Sequence, residues 1–188
     1  MIRVILGVDP GLTRCGVALL RAKSSRQIEL LHVDTLKSDA GSELSFRLVK
    51  IADGIEELIE KYHPSQIALE RVFAQANVRS VMGVAQISGV VLYLAQKHKI
   101  PVQLHTPSEV KAAVTGSGSA QKAQIGSAVA KILGLAEVPK PADSADAIAI
   151  AICNAWKGVT DFSSEKGKTS AQEAWLAAER VASRRPKA

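Results

Sequence analysis

Residues 139–153 read PKPADSADAIAIAIC. From Ala147 to Cys153 every side chain is apolar, so a helix over this stretch has no polar face and must be covered on all sides by the rest of the fold. The remaining elements have to form layers around it. Its head is different: a helix beginning near Ala142 carries Asp143 and Asp146 on one face, one turn apart. An acid at a helix start can cap free backbone N–H groups and favour the macrodipole, which suits Asp143 and serves Asp146 as a first-turn acid.

The elements available for the layers follow from hydrophobic period. Three strand candidates, Ile2–Asp9, Cys15–Leu20 and Gln27–Leu36, follow one another closely enough for an antiparallel meander. The period then becomes helical, with Leu44, Leu48, Ile51, Ile55, Leu58, Ile59 and Tyr62 on one face. His63-Pro64 ends that helix, QIALE (66–70) reads as a buried strand, and 77–99 as a long helix. Val102–His105 is a further strand, Thr106-Pro107 a cap and first helical residue, and 121–133 a helix that precedes the apolar one at 142. Crossover helices between the later strands predict an α/β architecture, a mixed sheet sandwiched by helices, with antiparallel pairing confined to the first three strands.

A chain of 188 residues, 47% hydrophobic, has the size of one compact domain. That domain is expected over residues 1–157. The polar remainder, 158–188, contains TSAQEAWLAAERVAS and the basic end SRRPKA and is expected to be a partly disordered tail. Cys15 and Cys153 are too few for a disulfide scaffold and suit reduced thiols in the cytoplasm. No apolar stretch approaches the length that spans a bilayer, so neither membrane insertion nor export is expected. The net charge of +6 has a location: between Arg71 and Ala136 stand Arg71, Arg79, Lys97, Lys99, Lys111, Lys122 and Lys131 against Glu109 alone. Such a skew suits a polyanionic partner, although a solvated basic surface explains it equally well.

The acids complete the pattern. Asp9 and Glu70 each stand at the carboxyl end of an otherwise apolar strand, the edge of an α/β sheet where ligands gather. Asp9 before Pro10-Gly11 could simply set a turn; Glu70, flanked by apolar residues, is costly without a partner. If crossover geometry brings the head of the 142 helix to the same edge, four carboxylates meet. Two of them about 4 Å apart repel by roughly 4 kcal/mol at an effective dielectric near 20, so the group needs a cation or bound protons. Magnesium, with its preference for oxygen ligands and substrate phosphate, fits. Acids in a cleft beside a basic surface point to phosphodiester hydrolysis with two ions per site, for which manganese is an expected alternative to magnesium.

Four stretches in order, GVDPGLTRCGVALL, IALERVFAQAN, SEVKAAVTGSGSAQKAQI and PADSADAIAIAI, closely resemble the RuvC family of bacterial Holliday-junction resolvases, over about Ile2 to Trp156. The resemblance implies a ribonuclease-H-like fold with a five-stranded sheet, a homodimer, and a magnesium-dependent endodeoxyribonuclease that resolves four-way junctions by paired symmetric nicks in DNA recombination and repair. Carried over by position, Asp9, Glu70, Asp143 and Asp146 would be the catalytic, metal-binding acids. Lys111 and Lys122 match lysines near the scissile phosphate, and Phe73 matches an aromatic that contacts bases at the opened junction centre. The branch-migration proteins RuvA and RuvB are the implied partners. Where the family often reads Gly-Gln-Ala-Arg-Gly, this chain has Ala85-Gln86-Ile87-Ser88-Gly89, and Arg79 on the same helix is the candidate replacement charge.

Three other functions fit parts of the pattern. An actin-like ATPase shares the strand, Asp and Gly at the start, but binds nucleotide between two domains and needs a longer chain. A non-catalytic junction-binding protein would keep the basic region without needing four acids. A ribonuclease-H-like nuclease acting on another nucleic acid, such as an RNA–DNA hybrid, is compatible with the acids alone.

Overall fold

The computed structural model describes residues 2–23, 27–71 and 78–157. Within them lie five strands, β1 (Arg3–Asp9), β2 (Arg14–Ala22), β3 (Ile28–Lys37), β4 (Gln66–Glu70) and β5 (Val102–His105). The helices are α1 (Leu44–Tyr62), α2 (Val78–Lys97), α3 (Pro107–Thr115), α4 (Lys122–Leu133) and α5 (Ala142–Lys157). No helix among the described residues is long and apolar enough to cross a membrane.

The strands form one mixed sheet in the order β3-β2-β1-β4-β5. β1, β2 and β3 are the expected antiparallel meander, while β4 joins β1 in parallel and β5 joins β4 in parallel. The register brings two acids together. Val8 pairs with Leu69, so Asp9 and Glu70, one step further along each strand, finish side by side; Glu70 in turn pairs with His105. Because strand side chains alternate between faces, Gly7 and Asp9, Gln66, Ala68 and Glu70, and His105 share one face.

That face is covered by α5. Ala147 to Ala155 are buried without interruption, with Ile148, Ile150 and Ile152 essentially inaccessible. Burying each isoleucine contributes about 1.5–3 kcal/mol, and α3 and α4 supply Val110, Val114, Ile125 and Val129 to the same cluster. The opposite face packs Leu6, Val8, Leu19, Ile67 and Leu69 against Ile51, Ile55, Leu58 and Ile59 of α1 and Ile87, Val91 and Leu94 of α2. Of the stripe expected on α1, Leu44 alone departs, being exposed.

Two glycines allow α5 to lie this close. A Cβ on Gly7 would meet the Ala147 carbonyl oxygen and, at 2.8 and 2.9 Å, the Cβ and N of Ala151. A Cβ on Gly16 would run into the carbonyl of Asp143. Since Gly16 is the β2 partner of Asp9, the first turn of α5 is laid directly beside the end of β1.

Candidate active site

The crossover geometry brings Asp146 to the strand edge. Asp9, Glu70 and Asp146 line one pocket of about 250 Å³ together with Lys111, Lys122, Pro107, Val110, Ile125 and Ile150. Each comes from a different element: Asp9 from the end of β1, Glu70 from the end of β4, Asp146 from the first turns of α5, Lys111 from α3 and Lys122 from the start of α4. α3 is itself held at its origin by a capping box. The Thr106 hydroxyl accepts from Glu109 N at 3.2 Å and Glu109 Oε2 accepts from Thr106 N at 2.8 Å, reciprocal bonds that settle two otherwise free N–H donors.

The electrostatics are those of acids crowded out of water. Burial pushes the Asp9 carboxyl up to about 8, reinforced by the charges of Glu70 and Asp146 and by a hydrogen bond shared with Glu70. Burial also raises Glu70; the bond from Asp9 opposes that rise and the charge of Asp146 adds to it. Both carboxyls of the pair therefore favour the protonated form more than isolated carboxyls do. Asp146 finds a cation instead: Lys122 Nζ donates to its Oδ2 at 3.1 Å, and that bond raises the lysine. The Asp146 side chain is 19% exposed against 75% for Lys122, so the carboxylate lies inward and the ammonium faces solvent.

Asp143 behaves differently. Its carboxylate does not line the pocket; Oδ2 accepts from Arg14 Nε at 2.6 Å. Arg14, the first residue of β2, belongs to the same GLTRCG stretch as the Asp9 motif, yet nothing in the local pattern marks it as a partner 129 residues away. The other lining residues, Pro107, Val110, Ile125 and Ile150, read in sequence only as core or turn positions. Of the remaining expectations, Arg79 lies in the first turn of α2, with its side chain outside the described residues, and Phe73 lies outside them altogether. So does the tail, 158–188.

A second group of metal-type donors, Glu56, Glu60 and His98, has ligand atoms within 4.8 Å of one another on the α1 and α2 side. There Glu56 Oε1 already accepts from Lys97 Nζ at 3.0 Å and meets His98 Nε2 at 2.6 Å. In the pocket, by contrast, burial raises Asp9 and Glu70 and the charge of Asp146 adds to both, the condition that a bound cation relieves, and all donors are the hard oxygens that magnesium prefers. The residues present fit such an ion.

Comparison with known proteins identifies the family. The family model described as "Crossover junction endodeoxyribonuclease RuvC" matches residues 5–154. The chain is 50% identical over 194 residues to the protein of that name from Leifsonia xyli subsp. xyli, covering 96% of this chain and 93% of the relative. It is 54% identical over 153 residues to that from Streptomyces avermitilis, 81% of this chain and 87% of the relative. Among solved structures, Thermus thermophilus RuvC in complex with a Holliday junction substrate superposes with a TM-score of 0.78 at 32% identity, covering 82% of this chain and 94% of that one. With the family model spanning most of the chain, relatives at about half identity over most of their length, and the sheet and helices superposing on a solved RuvC structure, the chain belongs to the RuvC family of crossover junction endodeoxyribonucleases.

Proposed function

We propose that the chain resolves four-way DNA junctions by hydrolysing one phosphodiester in each of two symmetric strands, with Asp9, Glu70 and Asp146 forming the centre of the site and Asp143 completing it. The observation that carries this reading is the convergence of three acids and two lysines from five elements on one pocket. Asp9, Glu70 and Asp146 would hold the metal, with Asp143 reaching it from the first turn of α5. When bound, two magnesium ions, or manganese in their place, supply activation of the attacking water and charge stabilisation at the leaving 3′ oxygen. Lys111 and Lys122, at the pocket wall, orient the scissile phosphate and offset charge that develops on it. A cation held there would relieve the crowding that raises the Asp9 and Glu70 carboxyls.

Paired nicks require two sites related by a two-fold axis, hence a homodimer. Exposed Met82, Leu92 and Tyr93 on α2 support self-association, being apolar groups of the kind that a partner covers. Phe73 is assigned to stacking at the junction centre, Arg79 to the DNA backbone, and RuvA and RuvB are the partners on resemblance. The free thiols Cys15 and Cys153 support a reducing cytoplasmic setting.

The test is cleavage of a synthetic four-way junction with and without magnesium, mapping both nicks. Symmetric nicks with ligatable 5′-phosphate and 3′-hydroxyl ends are expected. Equal cleavage of an RNA–DNA hybrid would overturn the junction assignment, and full cleavage in excess chelator would overturn the metal.

A further inference from the structure

α5 poses a problem of alignment. Its body is a smooth sequence of alanines and isoleucines, and apolar packing is non-directional. Gly7 and Gly16 determine how near the helix lies to the sheet, but the depth of Asp146 in the pocket depends on where the helix stops along its own axis. Directional bonds are needed for that, and the described residues place a chain of them two turns below Asp146.

Asn154 is fully buried, His105 is 1% exposed and Gln66 4%. Asn154 Nδ2 donates to Gln66 Oε1 at 2.9 Å, while Asn154 Oδ1 lies 3.0 Å from His105 Nε2. Since Oδ1 can only accept, Nε2 must carry the proton, and neutral His105 then has its acceptor at Nδ1. That atom faces Cys153 Sγ at 3.7 Å, whose single proton is also within reach of the Glu109 carbonyl oxygen at 3.8 Å. The side chains therefore form one directed sequence of bonds, from His105 through Asn154 to Gln66. Gln66 opens the strand that Glu70 ends, and His105 is the sheet partner of Glu70. The bonds thus tie α5 to the two strands that carry or flank that acid.

We infer that His105, Asn154 and Gln66 are positioning residues, which set the axial register of α5 and hence the depth of Asp146 beside Glu70. A buried polar group that selects one register, at no gain in stability over apolar packing, has precedent in the single asparagines of helical coiled coils. None of the three touches substrate; they act through Asp146. The inference rests on the catalytic role proposed for Asp146.

The test replaces the whole set by apolar groups, Gln66→Leu/His105→Phe/Asn154→Leu, so that no buried polar partner is orphaned. The expected result is a thermal midpoint equal to or above wild type, an unchanged KM for a four-way junction, and a kcat lowered about tenfold or more, since a misplacement near 1 Å costs on the order of a hundredfold. Wild-type kcat in that folded variant would overturn the proposal. A second pair keeps it decidable should the triple variant not fold: His105→Gln, which retains a donor near the Nε2 position, against His105→Phe, which does not. Near-wild-type kcat in the first and a loss of about tenfold in the second are expected; equal kcat in both overturns it. Nitrogen chemical shifts of the His105 ring should report the Nε2–H tautomer, and the Nδ1–H tautomer would break the bond sequence. Asp146→Asn is the control: if it cleaves normally, the catalytic reading of Asp146 has failed rather than the register.

Discussion

Asp143 and Asp146 stand one turn apart at the head of α5 and turn to different cations, Asp143 to Arg14 Nε at 2.6 Å and Asp146 to Lys122 Nζ at 3.1 Å. Only Asp146 lines the pocket with Asp9 and Glu70. The two aspartates are therefore not equivalent, and their substitutions should not be.

Asp146→Asn removes a charge from the pocket itself. At separations near 4 Å and an effective dielectric near 20 a unit charge pair is worth about 4 kcal/mol, so nicking should fall by on the order of a hundredfold or more while junction binding persists. Asp143→Asn should also suppress nicking, and Arg14→Gln should alter the magnesium dependence of protein that retains Asp143 but not that of Asp143→Asn. Gel-based nicking across a magnesium titration, beside filter binding of the intact junction, measures both.

The raised Asp9 carboxyl makes stability depend on pH in a defined direction. Its folded value, about 8, lies above the ordinary value of 3.8, so the folded state takes up a proton that the unfolded chain has lost. The stability this group contributes is fully present below about pH 4 and is lost as pH rises towards 8, by at most about 1.4 kcal/mol per pH unit. In chelator, the thermal midpoint should fall over that window, and Asp9→Asn should flatten the slope. A wild-type slope in the variant would show that another group is responsible.

Gly7→Ala places a methyl group against the Ala147 carbonyl and Ala151. Neither neighbour is the end of a flexible side chain, so α5 must move away from the sheet, at a cost of about 1–3 kcal/mol. Denaturant unfolding should show that loss, and nicking should fall further than stability does, because the displaced helix carries Asp146.

Lys122→Ala should weaken junction binding and reduce the slope of log affinity against log salt by about 0.9, the value for one phosphate no longer neutralised. A Lys122 that served only to neutralise Asp146 would leave that slope unchanged. Binding isotherms at several salt concentrations distinguish the two.

Much of the fold and part of the site are legible in the chain. The strand and helix order, the antiparallel start and the parallel continuation follow from period and crossover length, and the Thr106-Pro107 start of α3 follows from capping chemistry. Asp9 and Glu70 stand out because a charge ending an apolar strand has few local explanations. Arg14, Gln66, His105 and Asn154 do not. Each is an ordinary polar residue in its own segment, and each acquires its role from a partner 49, 88 or 129 positions away.

Local physical chemistry thus determined which segments become strands and helices, which helix is buried, and which acids lie at element ends, because period, capping and turn preference act over a few neighbouring residues. Tertiary structure alone decided that Asp146 enters the pocket while Asp143 turns to Arg14, that burial raises the Asp9 carboxyl, and where α5 stops against the sheet. Those outcomes depend on burial, on charge at a distance and on directional bonds between segments, none of which has a value until the chain has closed on itself.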